Sequence, residues 1–153
     1  MTFTPRKLNW FLLFKIPSAY LSGVRVKDIT ETSVEVGVRF QWINQNPFKS
    51  MYWATQGMAS ELATGVLMMQ EIAKSKKKIS MLVVGQQGEF TKKAVGKISF
   101  SCVCGEELKK AIAKTIATGD SEQITLVSEG TDESGAIVSK FHYNWSIKLK
   151  AKA

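Results

Sequence analysis

Apolar and polar positions along the chain recur with two different periods, and the switches between them set out the elements. Pro5 to Ile16 reads as a short helix, opened by Pro5 and ended by Pro17. From Gly23 to Trp42 the period drops to two. Val24, Val26 and Ile29 share one face, Val34, Val36, Val38 and Phe40 share the next, and the polar run Thr30–Ser33 marks a hairpin turn. Asn44, Asn46 and Pro47 place a loop over INQNPFKS, after which Ser50 is a candidate cap for a long helix. KSKKK (Lys74–Lys78) reads as a basic loop. ISMLVVGQQGEFTKKA then returns to a strand pattern, with a glycine bulge expected at Gly85 or Gly88. Ile98, Phe100, Cys102 and Cys104 fall on one face of the next strand. Gly105–Thr118 is an amphipathic helix stopped by Gly119. EQITLVSEGTD and GAIVSKFHYNWSIKLK are strands on either side of a turn near Asp132–Gly135. The second offers Val138, Phe141, Tyr143, Trp145 and Ile147 for packing. Helix, hairpin, long helix, hairpin, helix, hairpin predicts one α+β domain, with a single antiparallel sheet and helices on one face.

The long central helix carries the most unusual feature of the pattern. Over SMYWATQGMASELATGVLMMQ, between Lys49 and Glu71, Glu61 is the only charged residue. Burying an unpaired carboxylate costs several kcal/mol, so such a group is usually neutralised, paired or kept for chemistry. No basic residue stands within two turns. At helical spacing Glu61 lies over Gly57 and Met58 on one side and Thr64 and Gly65 on the other, a stripe of mostly small residues that leaves room for an approaching group. The plainer reading is a core helix whose one polar side chain reaches the protein edge. The first turn of the same helix offers unpaired N–H groups and partial positive charge, suited to a developing oxyanion, and a carboxylate further along can attack a carbonyl or activate water.

Composition narrows the classes. The 153 residues are enough for one domain with a real core, and 44% hydrophobic with 22% charged residues is an ordinary globular balance. The net charge of +8 favours acidic partners, although a soluble basic surface explains it equally. Cys102 and Cys104 form no disulfide framework, which points to a reducing cytoplasm. His142 is the only histidine and lacks a cluster of metal ligands, so neither a metal site nor any bound cofactor is expected. LNWFLLFKI resembles a signal-peptide core, but Asn9 breaks its apolar run and Lys15 stops it. Met51–Met69 approaches membrane-spanning length, yet Gln56, Ser60 and Glu61 near its centre are costly in lipid, so no membrane span is expected. Basic residues beside aromatics accompany no nucleic-acid-reading motif.

Two segments carry a resemblance to a known family, NPFKSMYWATQGMASELATG (46–65) and GEFTKKA (88–94). The chain resembles hotdog acyl-CoA thioesterases of the phenylacetate-pathway type over roughly residues 20–150. The implied fold is the hotdog fold, a sheet wrapped around a long central helix, here preceded by a short N-terminal helix. The resemblance implies a loop asparagine at Asn46, a catalytic carboxylate at Glu61, and at Trp53 a backbone N–H that helps hold the thioester oxygen. It implies a basic residue near the coenzyme A tail, at Lys92 or Lys93. Tyr52, Gln56 and Met58 join these as substrate-binding residues. The chain departs from the family pattern in two places. Tyr52, Trp53 and Ala54 replace the common His-Gly-Gly, and Val83 stands where a Ser or Thr is frequent. The implied activity is hydrolysis of acyl-CoA or acyl-carrier-protein thioesters by a homodimer or higher oligomer, with sites at the subunit interface. The alternative is a non-catalytic hotdog domain that binds an acyl chain or thioester.

Overall fold

The computed structural model describes residues 3–150. Two short helices, α1 (Pro5–Lys15) and α2 (Pro17–Leu21), precede β1 (Arg25–Ile29) and β2 (Val34–Arg39). A 3-10 turn at Trp42–Asn44 leads to α3 (Trp53–Ser75), then β3 (Ile79–Phe90), β4 (Lys97–Cys102), α4 (Gly105–Thr118), β5 (Glu122–Thr131) and β6 (Ile137–Leu149). The six strands form one sheet in the order β1-β2-β4-β5-β6-β3, with every neighbouring pair antiparallel. One antiparallel sheet curled over one long helix is the expected hotdog arrangement.

Several boundaries differ from the sequence expectation. Pro17 ends α1 but also opens α2, because proline has no N–H to lose at a first helical position. Ser50 does not cap α3. Its hydroxyl is turned back to Asn46, and Tyr52 occupies the cap position in extended conformation without a side-chain bond. Lys74 belongs to the last turn of α3 rather than to a loop. The bulge in β3 falls between Val83 and Gly85. Cys104 lies beyond β4, at the N-cap of α4. The largest difference is in pairing. β3 and β4 are adjacent in sequence but form no hairpin, because β3 lines up along β6 from Ile79–Leu149 to Phe90–Ser139, while β4 returns between β2 and β5. The connection between them is fastened elsewhere. The N–H groups of Thr91 and Lys92 bond to Val138, and the Ala94 carbonyl accepts from Met51 just before α3.

α3 is held against the concave face by apolar burial and by a ladder of polar contacts to β6. Ala59, Leu62, Ala63, Val66, Leu67 and Met68 are buried with Phe100, Leu126, Phe141 and Trp145 in one core. The Trp145 indole donates to the Thr64 hydroxyl at 3.1 Å, Tyr143 reaches the Gly57 carbonyl at 3.0 Å, and Ser139 donates to Gln56 at 2.8 Å. A Cβ at Gly65 would sit 3.6 Å from the Trp145 ring, in ordinary van der Waals contact, so helix and sheet lie close together here.

The two sheet edges are treated differently. α1 packs beside β1, and there Asn9 accepts from the Val26 N–H at 2.9 Å and donates to the Val26 carbonyl at 3.0 Å. The polar residue that interrupts the apolar run of α1 thus completes the bonding of an edge strand. β3, at the other edge, has no neighbour on its far side among the described residues, and Leu82, Val84 and Phe90 on it are exposed. Among the described residues, no helix is long and apolar enough to cross a membrane. Asn9→Ala should destabilise the chain by about 1–3 kcal/mol in chemical denaturation, because it leaves a donor and an acceptor of a part-covered edge strand unpaired. A loss below about 0.5 kcal/mol would show that water replaces both bonds.

Candidate active site

The entry to α3 is built by a loop whose backbone is fixed from within. Asn46 Oδ1 accepts from the N–H groups of Phe48 (2.9 Å) and Ser50 (3.3 Å), and its Nδ2 donates to the Ser50 hydroxyl (3.0 Å). Lys49 is left-handed with φ of 57°, which closes the turn. The Tyr52 N–H bonds to the buried Asn44 region through the Asn44 carbonyl at 2.8 Å. α3 then begins without a capping side chain. The Thr55 and Gln56 N–H groups share the Tyr52 carbonyl, whereas those of Trp53 and Ala54 have no partner among the described residues. Two free donors at the positive end of a 23-residue helix are a ready oxyanion cradle.

A groove of about 440 Å³ lies at this end of the helix, lined by Trp53 but not by Ala54. It gathers six of the eight residues expected at the site: Asn46, Tyr52, Trp53, Gln56, Lys92 and Lys93. Phe48 and Phe90 also line it. They are exposed aromatics that the strand and loop patterns gave no reason to single out. The six residues differ in how free they are. Tyr52 and Trp53 are half exposed, with ring centroids 6.0 Å apart edge to face. Gln56 is buried and bonded at both ends, to the Met51 carbonyl and the Ser139 hydroxyl, so it shapes the floor. Lys93 donates to the Phe48 carbonyl at 3.2 Å and ties the strand connection to the α3 loop. Lys92 pairs with Asp132 and, with help from Ser134, holds that carboxyl well below its usual range. A second groove of about 460 Å³ lies on the outer face of the sheet. It is lined by both signs of charge, including Lys97 and Glu133 at 3.8 Å.

Glu61 and Met58 lie further along α3, outside the groove. Burial pushes the Glu61 carboxyl above the usual glutamate range, and no hydrogen bond or ion pair reaches it among the described residues. Its Oε1 lies 3.5 Å from where a Gly65 side chain would begin, so the carboxylate rests beside that glycine. Space is also open beside Gly57. Tyr143, expected only to pack, is the polar neighbour that sequence reasoning missed. Its hydroxyl is 2.7 Å from Ser60, and burial together with the Glu61 charge pushes its pKa up to about 12. Nothing in the strand pattern distinguishes it from Phe141 two positions earlier.

The geometry separates the two halves of the expected chemistry. Trp53 and Glu61 are eight residues apart, about 12 Å along a helix, which is further than a glutamate side chain spans. A carbonyl held at the N–H groups of one α3 is out of reach of Glu61 on that same helix.

The architecture is the hotdog fold. The family model described as Domain of unknown function (DUF4442) matches residues 4–147, and the chain belongs to that family. No curated protein matches it. A Pseudomonas aeruginosa protein described as of unknown function and a probable thioesterase superposes with a TM-score of 0.81, at 19% identity over 96% of this chain and 97% of that one. A Haemophilus influenzae thioesterase gives 0.70 at 12% identity, over 99% and 95%. A Staphylococcus aureus thioesterase, solved as a glutamine-to-alanine variant, gives 0.59 at 12% identity over 82% and 93%. The same protein with a glutamate fifteen positions further on changed to alanine gives 0.60 at 12% identity, over 83% and 94%. At these identities the likeness shows the fold.

The raised Glu61 value has a signed consequence for stability. The folded chain binds the proton more tightly than the unfolded chain, so stability falls as pH rises from the ordinary value of 4.5 through the raised one. Glu61→Gln removes that fall. The variant should melt above the wild type at neutral pH and match it below pH 4.5, as read by thermal unfolding at both. A variant that melts lower at neutral pH would mean that the carboxylate has a stabilising partner.

Proposed function

We propose that the chain is a thioester hydrolase acting on acyl-CoA or acyl-carrier-protein thioesters, working as a homodimer or higher oligomer of one hotdog domain per chain. Glu61 carries the reading. It is a desolvated carboxylate with no hydrogen-bond or ion-pair partner among the described residues, and it stands fifteen residues after Asn46. The glutamine and glutamate replaced in the Staphylococcus aureus thioesterase are separated by the same interval. Asparagine for glutamine keeps the amide and shortens its reach.

The mechanism assigns the thioester carbonyl oxygen to the Trp53 and Ala54 N–H groups, which face charge that grows as the carbonyl carbon becomes tetrahedral. Asn46 fixes the loop that aims them. Glu61, with its proton affinity raised by burial, attacks that carbon or takes a proton from the attacking water. The C–S bond then breaks and the thiolate leaves. On the water route it takes the proton held by Glu61. On the nucleophilic route it takes one from solvent, and a water then hydrolyses the mixed anhydride and frees Glu61 and the acid. Lys92 and Lys93, at the groove rim, supply positive charge for the phosphates of coenzyme A or of a carrier's prosthetic arm. Tyr52, Phe48, Phe90 and Met58 give the acyl group apolar surface.

The 12 Å separation on one helix supports a site completed by a second copy, with the groove from one chain and Glu61 from the other. The open β3 edge is the surface for that pairing, since an unpaired strand with exposed Leu82 and Val84 gains both hydrogen bonds and burial against its own copy. The two free cysteines suit the reducing cytoplasm as the place of action.

A non-catalytic acyl-thioester binder is the second reading. Trp53 favours it, because an indole in place of a glycine narrows access to the N–H groups. A screen over short, medium, long and aromatic acyl-CoAs with free-thiol detection separates the two. Hydrolysis should appear with at least one chain class, and Glu61→Gln should lower kcat by roughly 10²-fold or more with the fold intact. Binding without turnover in the wild type would establish the second reading.

A further inference from the structure

The groove and Glu61 leave the N-terminal face of the molecule unused, and its chemistry is unlike that of the rest of the surface. No Asp or Glu occurs before Asp28, whereas Arg6, Lys7, Lys15, Arg25 and Lys27 all precede it. Five of the eight net positive charges therefore come from the first 27 residues. Arg25 is occupied by the Tyr20 ring and two carbonyls, and Lys27 lies over Gly37. Arg6, Lys7 and Lys15 have no acidic partner among the described residues.

α1 carries these charges beside a large apolar exposure. Its inner face, Leu8 and Leu12, is buried. Its outer face presents Trp10 at 55% and Phe14 at 71% exposure, one turn apart and stacked with ring centroids 5.9 Å apart. α2 ends on Leu21, which is 64% exposed. A shallow groove lined by Arg6, Trp10, Leu13 and Tyr20 runs beside the stack. Aromatic rings held out to solvent and flanked by unpaired cations, with no carboxylate between them, are the composition of a helix that lies in the headgroup region of an anionic bilayer. The sheet order places this face at the β1 edge, the far side from open β3, so a pairing through β3 leaves it free.

We propose that the outer face of α1, with Leu21 of α2, docks this protein reversibly on anionic lipid surfaces. Trp10 and Phe14 enter the acyl boundary, and Arg6, Lys7 and Lys15 meet the headgroups. The helix lies on the membrane and does not span it. Docking places the molecule where long acyl chains partition, without taking part in the chemistry at α3.

The test is cosedimentation of the full chain with vesicles of phosphatidylcholine alone and of phosphatidylcholine mixed with phosphatidylglycerol. The wild type should pellet with the mixed vesicles at low salt, be released as salt is raised, and show a blue shift of tryptophan emission when bound. Trp10→Ala with Phe14→Ala, and separately Arg6→Glu with Lys7→Glu and Lys15→Glu, should each cut the bound fraction about tenfold or more. Both sets change exposed side chains and should leave hydrolysis of a short, water-soluble acyl-CoA as it was. The proposal fails if the wild type stays in the supernatant with both vesicles, or if both variants bind as it does. It fails equally if the aromatic variant changes the oligomeric state in light scattering, which would make this face a contact between copies. Binding to an acidic carrier protein in preference to vesicles would also overturn it.

Discussion

The close approach of α3 to β6 governs most of what this molecule can do. Trp145 lies over Gly65, where a Cβ would meet the ring at 3.6 Å in ordinary van der Waals contact, and its indole donates to the Thr64 hydroxyl at 3.1 Å. The Glu61 carboxylate lies beside the same glycine, its Oε1 3.5 Å from where a Cβ would stand. Energetically the helix can carry that carboxylate. Each fully buried aliphatic side chain on α3, among them Leu62, Val66, Leu67 and Met68, contributes on the order of 1.5–3 kcal/mol, so several together outweigh a desolvation cost of a few kcal/mol. The seat of the helix therefore permits a half-buried carboxylate at position 61 and raises its proton affinity as a direct result of where it lies.

The same frame explains the asymmetry between the sheet edges. Asn9 closes β1 with two hydrogen bonds from within the chain. Among the described residues nothing comparable covers β3, which pairs with β6 along its length. The groove at the start of α3 and the carboxylate two turns later cannot meet on one straight helix. The proposed dimer answers both an open edge and a divided site, although the two arise from different parts of the structure.

Much of this was legible in the sequence, and the rest was hidden for identifiable reasons. Val34, Val36 and Val38, or Phe141, Tyr143 and Trp145, show a strict period of two and are buried as that period requires. Glu61 stood out because a lone charge in an apolar helix is locally visible, and the glycine four residues on lies next to it as helical spacing demands. The pairing of β3 was not visible, since period and propensity describe a strand but not its partner, and the fastening of Met51 to Ala94 is long-range. Asn9 read as a flaw in an apolar run, because its partner at Val26 becomes its neighbour only after the chain folds. Gln56 was expected to meet substrate and does line the groove, but the bond its amide accepts from Ser139 could not be read from the sequence because the two meet only in the fold. Tyr143 looked like any other packing aromatic because its hydroxyl meets α3 only through the tertiary fold.

The most direct measurement of a site shared between copies is complementation. Trp53→Pro removes one cradle N–H at a first helical position where proline is tolerated, and Glu61→Gln removes the carboxylate. Each variant alone should be nearly inactive. After subunit exchange, a mixed dimer has one site with both lesions and one site with neither. Equal mixing should then restore about one quarter of the wild-type rate, because half the dimers are mixed and each has one intact site of two. A mixture that stays as inactive as its components, with exchange confirmed, would place groove and carboxylate in separate sites and contradict the account.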